Sequence, residues 1–290
     1  MTEKHIDEAT GVATTGHEWD GIRELNNPLP RWWVCSFSNA VVRALAYAIA
    51  YPAGPMLSSA TTGLYGSSSR ADVKAELAAA EAAKGQYVEA VAAKSVEEIL
   101  KDDTLRQFAI AAGAAAFKVN CVQCHGSGAQ GSVGYPNLND DDWIWGGSID
   151  QIYHTVLHGI RFAEDGDTRA SEMPAFAEML DATQIAQVSA YVVSLSGGAV
   201  ADQAMVEPGA TVFTENCAAC HGDDGKGNRD LGAPNLTDAI WLRGEGESAI
   251  AAQVKAPKHG VMPAWGGRLG DTKVKGLAVY VHSLGGGGKG

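Results

Sequence analysis

The chain has 290 residues, 46% of them hydrophobic, and a formal net charge of −12. That length has room for two small domains with further segments around them. So acidic a balance excludes a nucleic-acid binder held by phosphate contacts.

Residues 1–30 are polar and lack the charged region of a secretory signal, so they read as a cytoplasmic leader. An apolar stretch from Trp32 to Tyr51 follows, bracketed by Pro30 and Pro52 and long enough to cross a bilayer. Trp32, Trp33, Tyr47 and Tyr51 lie near its ends, where interfacial aromatics belong. A transmembrane helix is therefore assigned to residues 31–53. Ser36, Ser38 and Asn39 dilute it, and Arg43 sits near its middle. An Arg there costs roughly 2.5–3.5 kcal/mol on insertion scales, so it must snorkel or find a partner in a neighbouring helix. Cys35 reads as a packing residue of this helix. Arg23 and Arg31 flank the inner end, while Arg70 is the first basic residue beyond the outer end, which puts the N-terminus inside. A cleaved signal ending at Ala48-Ile49-Ala50 and a buried soluble helix are the competing readings.

Residues 54–103 read as a periplasmic linker carrying helices. Pro, Gly and Ser dominate 52–71, and an Ala-rich helix is expected from Asp72 to Ala83, with Gly85 a weak break. Ser95-Val96-Glu97-Glu98 is a capping box opening a short helix. Thr104 to Val119 reads as the next helix. The tail from Gly285 is Gly-rich and expected to be disordered.

Two Cys-x-x-Cys-His motifs dominate the rest: Cys121-Val122-Gln123-Cys124-His125 and Cys217-Ala218-Ala219-Cys220-His221. A lone Cys-x-x-Cys fits half a zinc site or a redox dithiol. The adjacent His changes the reading to covalent haem c, with two thiols for the vinyl groups and an imidazole for the iron. Such attachment places both motifs outside the cytoplasm. Cys121, Cys124, Cys217 and Cys220 are thus expected to hold two haems c, with His125 and His221 on the irons and no disulfide.

The motifs head an internal repeat. Pro136-Asn137-Leu138 matches Pro234-Asn235-Leu236, Trp143 matches Trp241, and His158-Gly159 matches His259-Gly260. Met173-Pro174-Ala175-Phe176 matches Met262-Pro263-Ala264-Trp265, and Tyr191 to Leu195 matches Tyr280 to Leu284. Two tandem cytochrome c domains are assigned, at 104–197 and 204–286. Met173 and Met262 are chosen as sixth ligands, because Met-Pro is a loop dipeptide and a thioether raises the potential of an electron carrier. His158, His259 and His154 are rivals. Met179 and Met205 fit ordinary core packing better. Whether each Met serves the haem of its own repeat stays open.

Residues 101–200 carry 5 basic and 12 acidic side chains, and half of the acidic ones lie in Asp140-Asp141-Asp142 and Glu164-Asp165-Gly166-Asp167. Both a solvated surface and a docking field for a basic partner fit this pattern.

The leader His17-Glu18-Trp19-Asp20-Gly21-Ile22-Arg23-Glu24-Leu25-Asn26-Asn27-Pro28-Leu29-Pro30-Arg31-Trp32-Trp33, followed by one span and two haem c motifs, closely resembles the CcoP/FixP family. These are the dihaem subunits of cbb3-type cytochrome c oxidases. The resemblance implies a mainly α protein, with an N-terminal transmembrane helix followed by two class I cytochrome c domains. It implies that Pro136 and Pro234 accept hydrogen bonds from the ligating histidines. It also implies passage of electrons from a donor cytochrome c, through two haems, to a monohaem subunit and a haem b–copper catalytic subunit of a proton-pumping complex. A small accessory subunit is a further expected partner. The expected location is the bacterial inner membrane, single-pass, with periplasmic haem domains. The chain is then an electron-transfer subunit with no catalysis of its own. A free-standing membrane-anchored dihaem cytochrome and a dihaem peroxidase are the alternatives.

Overall fold

A computed structural model describes residues 5–285; residues 286–290 of the Gly-rich tail lie outside the described residues. The chain divides into two compact units between Ala82 and Ala83.

The first unit opens with an antiparallel hairpin, β1 (Thr14–Trp19) and β2 (Ile22–Leu25), pairing Trp19 with Ile22 and Glu18 with Arg23. Asp20 and Gly21 turn it with φ of +48° and +82°, and Asp-Gly is a strong hairpin signal in any sequence. The leader is thus more than a polar segment. Helix α1 (Arg31–Ala50) follows Pro30 directly and stops before Pro52, three residues short of the expected boundary, because Pro52 holds Tyr51 extended. Its 20 residues span about 30 Å at the usual rise per residue. None of them is buried, so the soluble core-helix reading does not fit; by length and composition α1 is a candidate membrane span.

Helix α2 (Ser69–Ala93) runs straight through Gly85. One Gly costs about 1 kcal/mol against Ala, too little to break a run this rich in Ala. The expected stop at Ala83 is therefore corrected to Ala93.

The second unit holds helix α3 (Val96–Lys101), opened by the Ser95–Glu98 capping box, and α4 (Asp103–Asn120), capped by the Asp102 carboxylate. The single turn α5 (Val122–His125) and α6 (Ile149–His158) complete this run. Helix α7 (Ala182–Leu195) closes the first sequence repeat. The second repeat supplies α8 (Val206–Asn216), α9 (Ala218–His221), α10 (Glu247–Lys255), α11 (Gly266–Leu269) and α12 (Asp271–His282).

The repeats exchange their closing helices. Helix α4 packs on α12, and α8 packs on α7. One core joins Leu105, Ala109 and Phe117 of α4 and Ile152 and Val156 of α6 to Val274, Leu277 and Val281 of α12. The other joins Val212 and Phe213 of α8 and Ile250 and Val254 of α10 to Ile185, Val188 and Val192 of α7. The aromatic contacts repeat the exchange: Phe117 meets Tyr280 at 5.4 Å between centroids, and Phe213 meets Tyr191 at 5.3 Å. Tyr153 of α6 donates a hydrogen bond to Asp271 of α12.

Both crossings depend on a missing side chain. A Cβ at Gly113 would collide with the Gly276 carbonyl oxygen, and one at Gly209 with the Gln187 carbonyl oxygen. Gly113→Ala and Gly209→Ala should each force a helix pair apart. The expected cost is about 1–3 kcal/mol, a melting temperature lower by roughly 2–12 °C for a unit this size. A Cβ at Gly85 meets nothing, so Gly85→Ala should leave the melting temperature unchanged or raise it. Calorimetry of the three variants checks both signs.

Candidate functional site

Each motif forms at a helix end. Helix α4 runs out at Cys121, whose N–H still reaches the Phe117 carbonyl, and the turn α5 then presents Cys124 and His125. Helix α8 ends at Cys217 in the same way, and α9 presents Cys220 and His221.

The imidazoles are held by the carbonyls the family resemblance implied. His125 Nδ1 lies 3.1 Å from the Pro136 oxygen, and His221 Nδ1 3.1 Å from that of Pro234. A carbonyl only accepts, so the proton sits on Nδ1 and Nε2 keeps its lone pair for a metal. Burial lowers both histidine pKa values, against the opposing pull of the Pro carbonyls, and favours this neutral form. Burial, and then the neighbouring thiol, pushes Cys121 and Cys217 up to about 11. A protonated thiol is a poor redox nucleophile, whereas thioether formation leaves no thiol to ionise.

The methionines lie across the exchange. Met262 packs in the core that contains Cys121, and Met173 in the core that contains Cys217. The Met262 loop is bonded to the first repeat: Ile160 N–H donates to the Met262 oxygen at 2.9 Å, and Met262 N–H returns to Ile160 at 3.0 Å. Gly159, at φ +72°, makes the approach possible, since a Cβ there would strike the Met262 carbonyl. A largely apolar cavity of about 460 Å³ joins both clefts and is lined by both motifs, Met173 and Met262. Vinyl-reactive thiols, an imidazole Nε2, a thioether and apolar walls form the donor set and cradle that a haem c requires.

The rival ligands fare differently. His158 is tied to Asp165 through Nδ1 at 3.1 Å and does not line the cavity. Asp165, part of the acidic loop, therefore has a structural partner. The His154 ring lies 4.7 Å from that of His158, tilted by 49°, and its buried Nδ1 lacks a hydrogen-bond partner among the described residues. His259 does line the cavity. Met179 is 63% exposed, so its reading as a core residue is corrected: it caps a short 3-10 turn instead of pointing into the core. Met205 is half-buried. Arg161, missed in the sequence, lines the cavity and hydrogen-bonds both methionine loops. Only its place just after a repeated His-Gly could have drawn attention to it.

Asp142 also lines the cavity. Burial, then Asp238 and Asp140, raises its pKa to about 6, with Arg229 opposing. The run Asp140-Asp141-Asp142 thus meets a carboxylate of the other repeat.

Two cytochrome c domains preceded by an apolar helix of membrane-spanning length define a c-type cytochrome with a candidate membrane span. Residues 11–58 match the N-terminal domain of cytochrome oxidase-cbb3, FixP; residues 110–196 match cytochrome c; residues 204–281 match cytochrome c oxidase, cbb3-type, subunit III. The chain is 62% identical over 284 residues to a cbb3-type cytochrome c oxidase subunit FixP of Rhizobium meliloti, covering 98% of each. It is 62% identical over 287 residues to subunit FixPc of Rhizobium leguminosarum bv. viciae, covering 99% of this chain and 100% of the relative. It is 52% identical over 276 residues to subunit CcoP of Cereibacter sphaeroides, covering 94% and 95%. The chain belongs to the FixP/CcoP family and is an electron-transfer cytochrome c subunit of the cbb3 oxidase.

A carboxyl raised to about 6 binds its proton more tightly folded than unfolded. Its penalty on stability is therefore present in full above pH 6 and fades as pH falls toward the unfolded value. Asp142→Asn should melt higher than the unmodified chain at pH 7.5, and the gap should narrow by pH 5. Equal melting at both pH values would show that Asp142 carries no such penalty.

Proposed function

We propose that this subunit binds two covalent haems c with exchanged sixth ligands and relays electrons from a donor cytochrome c toward the oxygen-reducing centre. In this reading Cys121 and Cys124 hold one haem between His125 and Met262. Cys217 and Cys220 hold the other between His221 and Met173. The observation that carries it is the sorting of Met262 with Cys121 and Met173 with Cys217 into separate cores.

When bound, the haems supply reversible one-electron chemistry. The protein's part is to set and protect it. The Nδ1 bonds to Pro136 and Pro234 fix each ring and raise the basicity of Nε2. The thioethers favour the ferrous state and raise the potentials. A His and a Met held by each haem would leave no site for O2 or peroxide, which favours a relay over a peroxidase. Helix α1 anchors the chain in the bacterial inner membrane, with Arg23 and Arg31 supporting a cytoplasmic N-terminus. The haem domains are then periplasmic. The recipients are the monohaem cytochrome c subunit and then the haem b–copper subunit of the proton-pumping complex, with a small accessory subunit alongside.

Affinity purification from native membranes should recover haem b signals and oxygen consumption in the same fraction; a pure c-type spectrum would count against the relay. Ligand exchange has its own test. Ferric haem with Met ligation shows a weak far-red band. In a Cys217→Ala/Cys220→Ala background only the first motif remains loaded. There Met262→His should abolish the band and Met173→His should spare it. The reverse result would restore ligation within each repeat.

A further inference from the structure

The two methionine loops meet at one side chain. Arg161 Nε donates to the Gly260 carbonyl at 2.8 Å, and its Nη1 to the Ser171 carbonyl at 2.7 Å. Gly260 stands two residues before Met262, and Ser171 two residues before Met173. A single guanidinium thus bridges the backbones of two loops that belong to different repeats and serve different clefts.

The backbone of Arg161 is itself fixed. Its N–H donates to the Arg169 oxygen at 2.7 Å, and the preceding Ile160 makes the reciprocal pair with Met262. Its φ is +51°, a left-handed conformation that a side chain other than Gly adopts only where its surroundings hold it. Both acceptors are main-chain carbonyls, so each loop is gripped close to its Cα trace. Charge-assisted bonds of this kind are stronger than neutral ones, and the planar fork of Arg can serve two acceptors in fixed directions. Lys offers a point charge without that geometry.

We propose that Arg161 is a positioning residue for both sixth ligands at once, holding Met173 and Met262 in place through the Ser171 and Gly260 carbonyls. This rests on the exchanged ligation described above. The consequence is specific: one substitution at residue 161 loosens both thioether–iron bonds together, although the residue ligates neither iron.

The test uses the full chain, purified in detergent with its haems attached, and free imidazole as a competitor for the methionine position. Loss of the ferric far-red band against imidazole concentration reports the two sites. Arg161→Gln and Arg161→Lys should each move both displacement steps to about tenfold lower imidazole, as expected for loss of a charge-assisted bond. Met262→His should remove one step and leave the other. Full c-type absorbance and unchanged circular dichroism establish that a variant is folded, and Arg161→Lys answers the question if Arg161→Gln does not fold. Movement of only one step, or of neither, overturns the proposal. So does a shift of both midpoint potentials with unmoved displacement steps, which would mark Arg161 as a charge acting at a distance. A missing far-red band in the unmodified protein would sink the Met ligation and this inference together. A normal band with unmoved steps would sink this inference alone.

Discussion

Close approach of helices at glycine governs the second unit. Where α4 crosses α12 and α8 crosses α7, backbone lies against backbone at Gly113 and Gly209. Each crossing sets one end of a cleft. The motif grows from the C-terminal end of α4 or α8, and the opposing helix is preceded by a methionine loop. The phenylalanine one turn before each motif then packs on the tyrosine of the opposing helix. A cleft wide enough for a large flat group therefore follows from two crossings, without a continuous protein core at its centre.

Within each cleft the electrostatics run in one direction. Burial lowers the His125 and His221 pKa values, which favours the neutral rings, and raises those of Cys121 and Cys217. The Pro136 and Pro234 carbonyls settle which ring nitrogen carries the proton. The result suits a cofactor that is covalently attached and then left chemically undisturbed, in a largely apolar lining whose charged residues are Asp142, Arg161, Glu172, Arg243 and Lys258.

Local chemistry was legible in the residues. The motifs, the capping box at Ser95, the bounds of α4 and the apolar span all follow from patterns that neighbouring residues impose on one another. The hairpin at Asp20-Gly21 is equally local. The helix exchange was not legible, and the reason is symmetry. Phe117 and Phe213, Tyr191 and Tyr280, Met173 and Met262 are the same residue types in the same slots. Either pairing of the repeats satisfies the same contacts, so pattern alone cannot choose. The repeats do differ in spacing: Met173 lies fifteen residues after His158, but Met262 only three after His259. The longer loop carries Arg169 and Ser171, whose carbonyls Arg161 engages. Its grip on the Gly260 carbonyl is a long-range contact that no periodicity encodes.

The exchange also orders events in time. The chain emerges N-terminus first, at about 5–20 residues per second. Met173 is made before the motif at Cys217, so the second cleft has all its parts soon after its own motif appears. The first cleft, begun at Cys121, must wait for Met262 and α12 at the far end of the chain, a delay on the order of ten seconds at such rates. The site that starts first is completed last. Until then α4 and α6 have only Val91, Val96 and Ile99 of the preceding helices against their apolar faces and lack Val274, Leu277 and Val281 of α12, so the first cleft is the last part of the second unit to close.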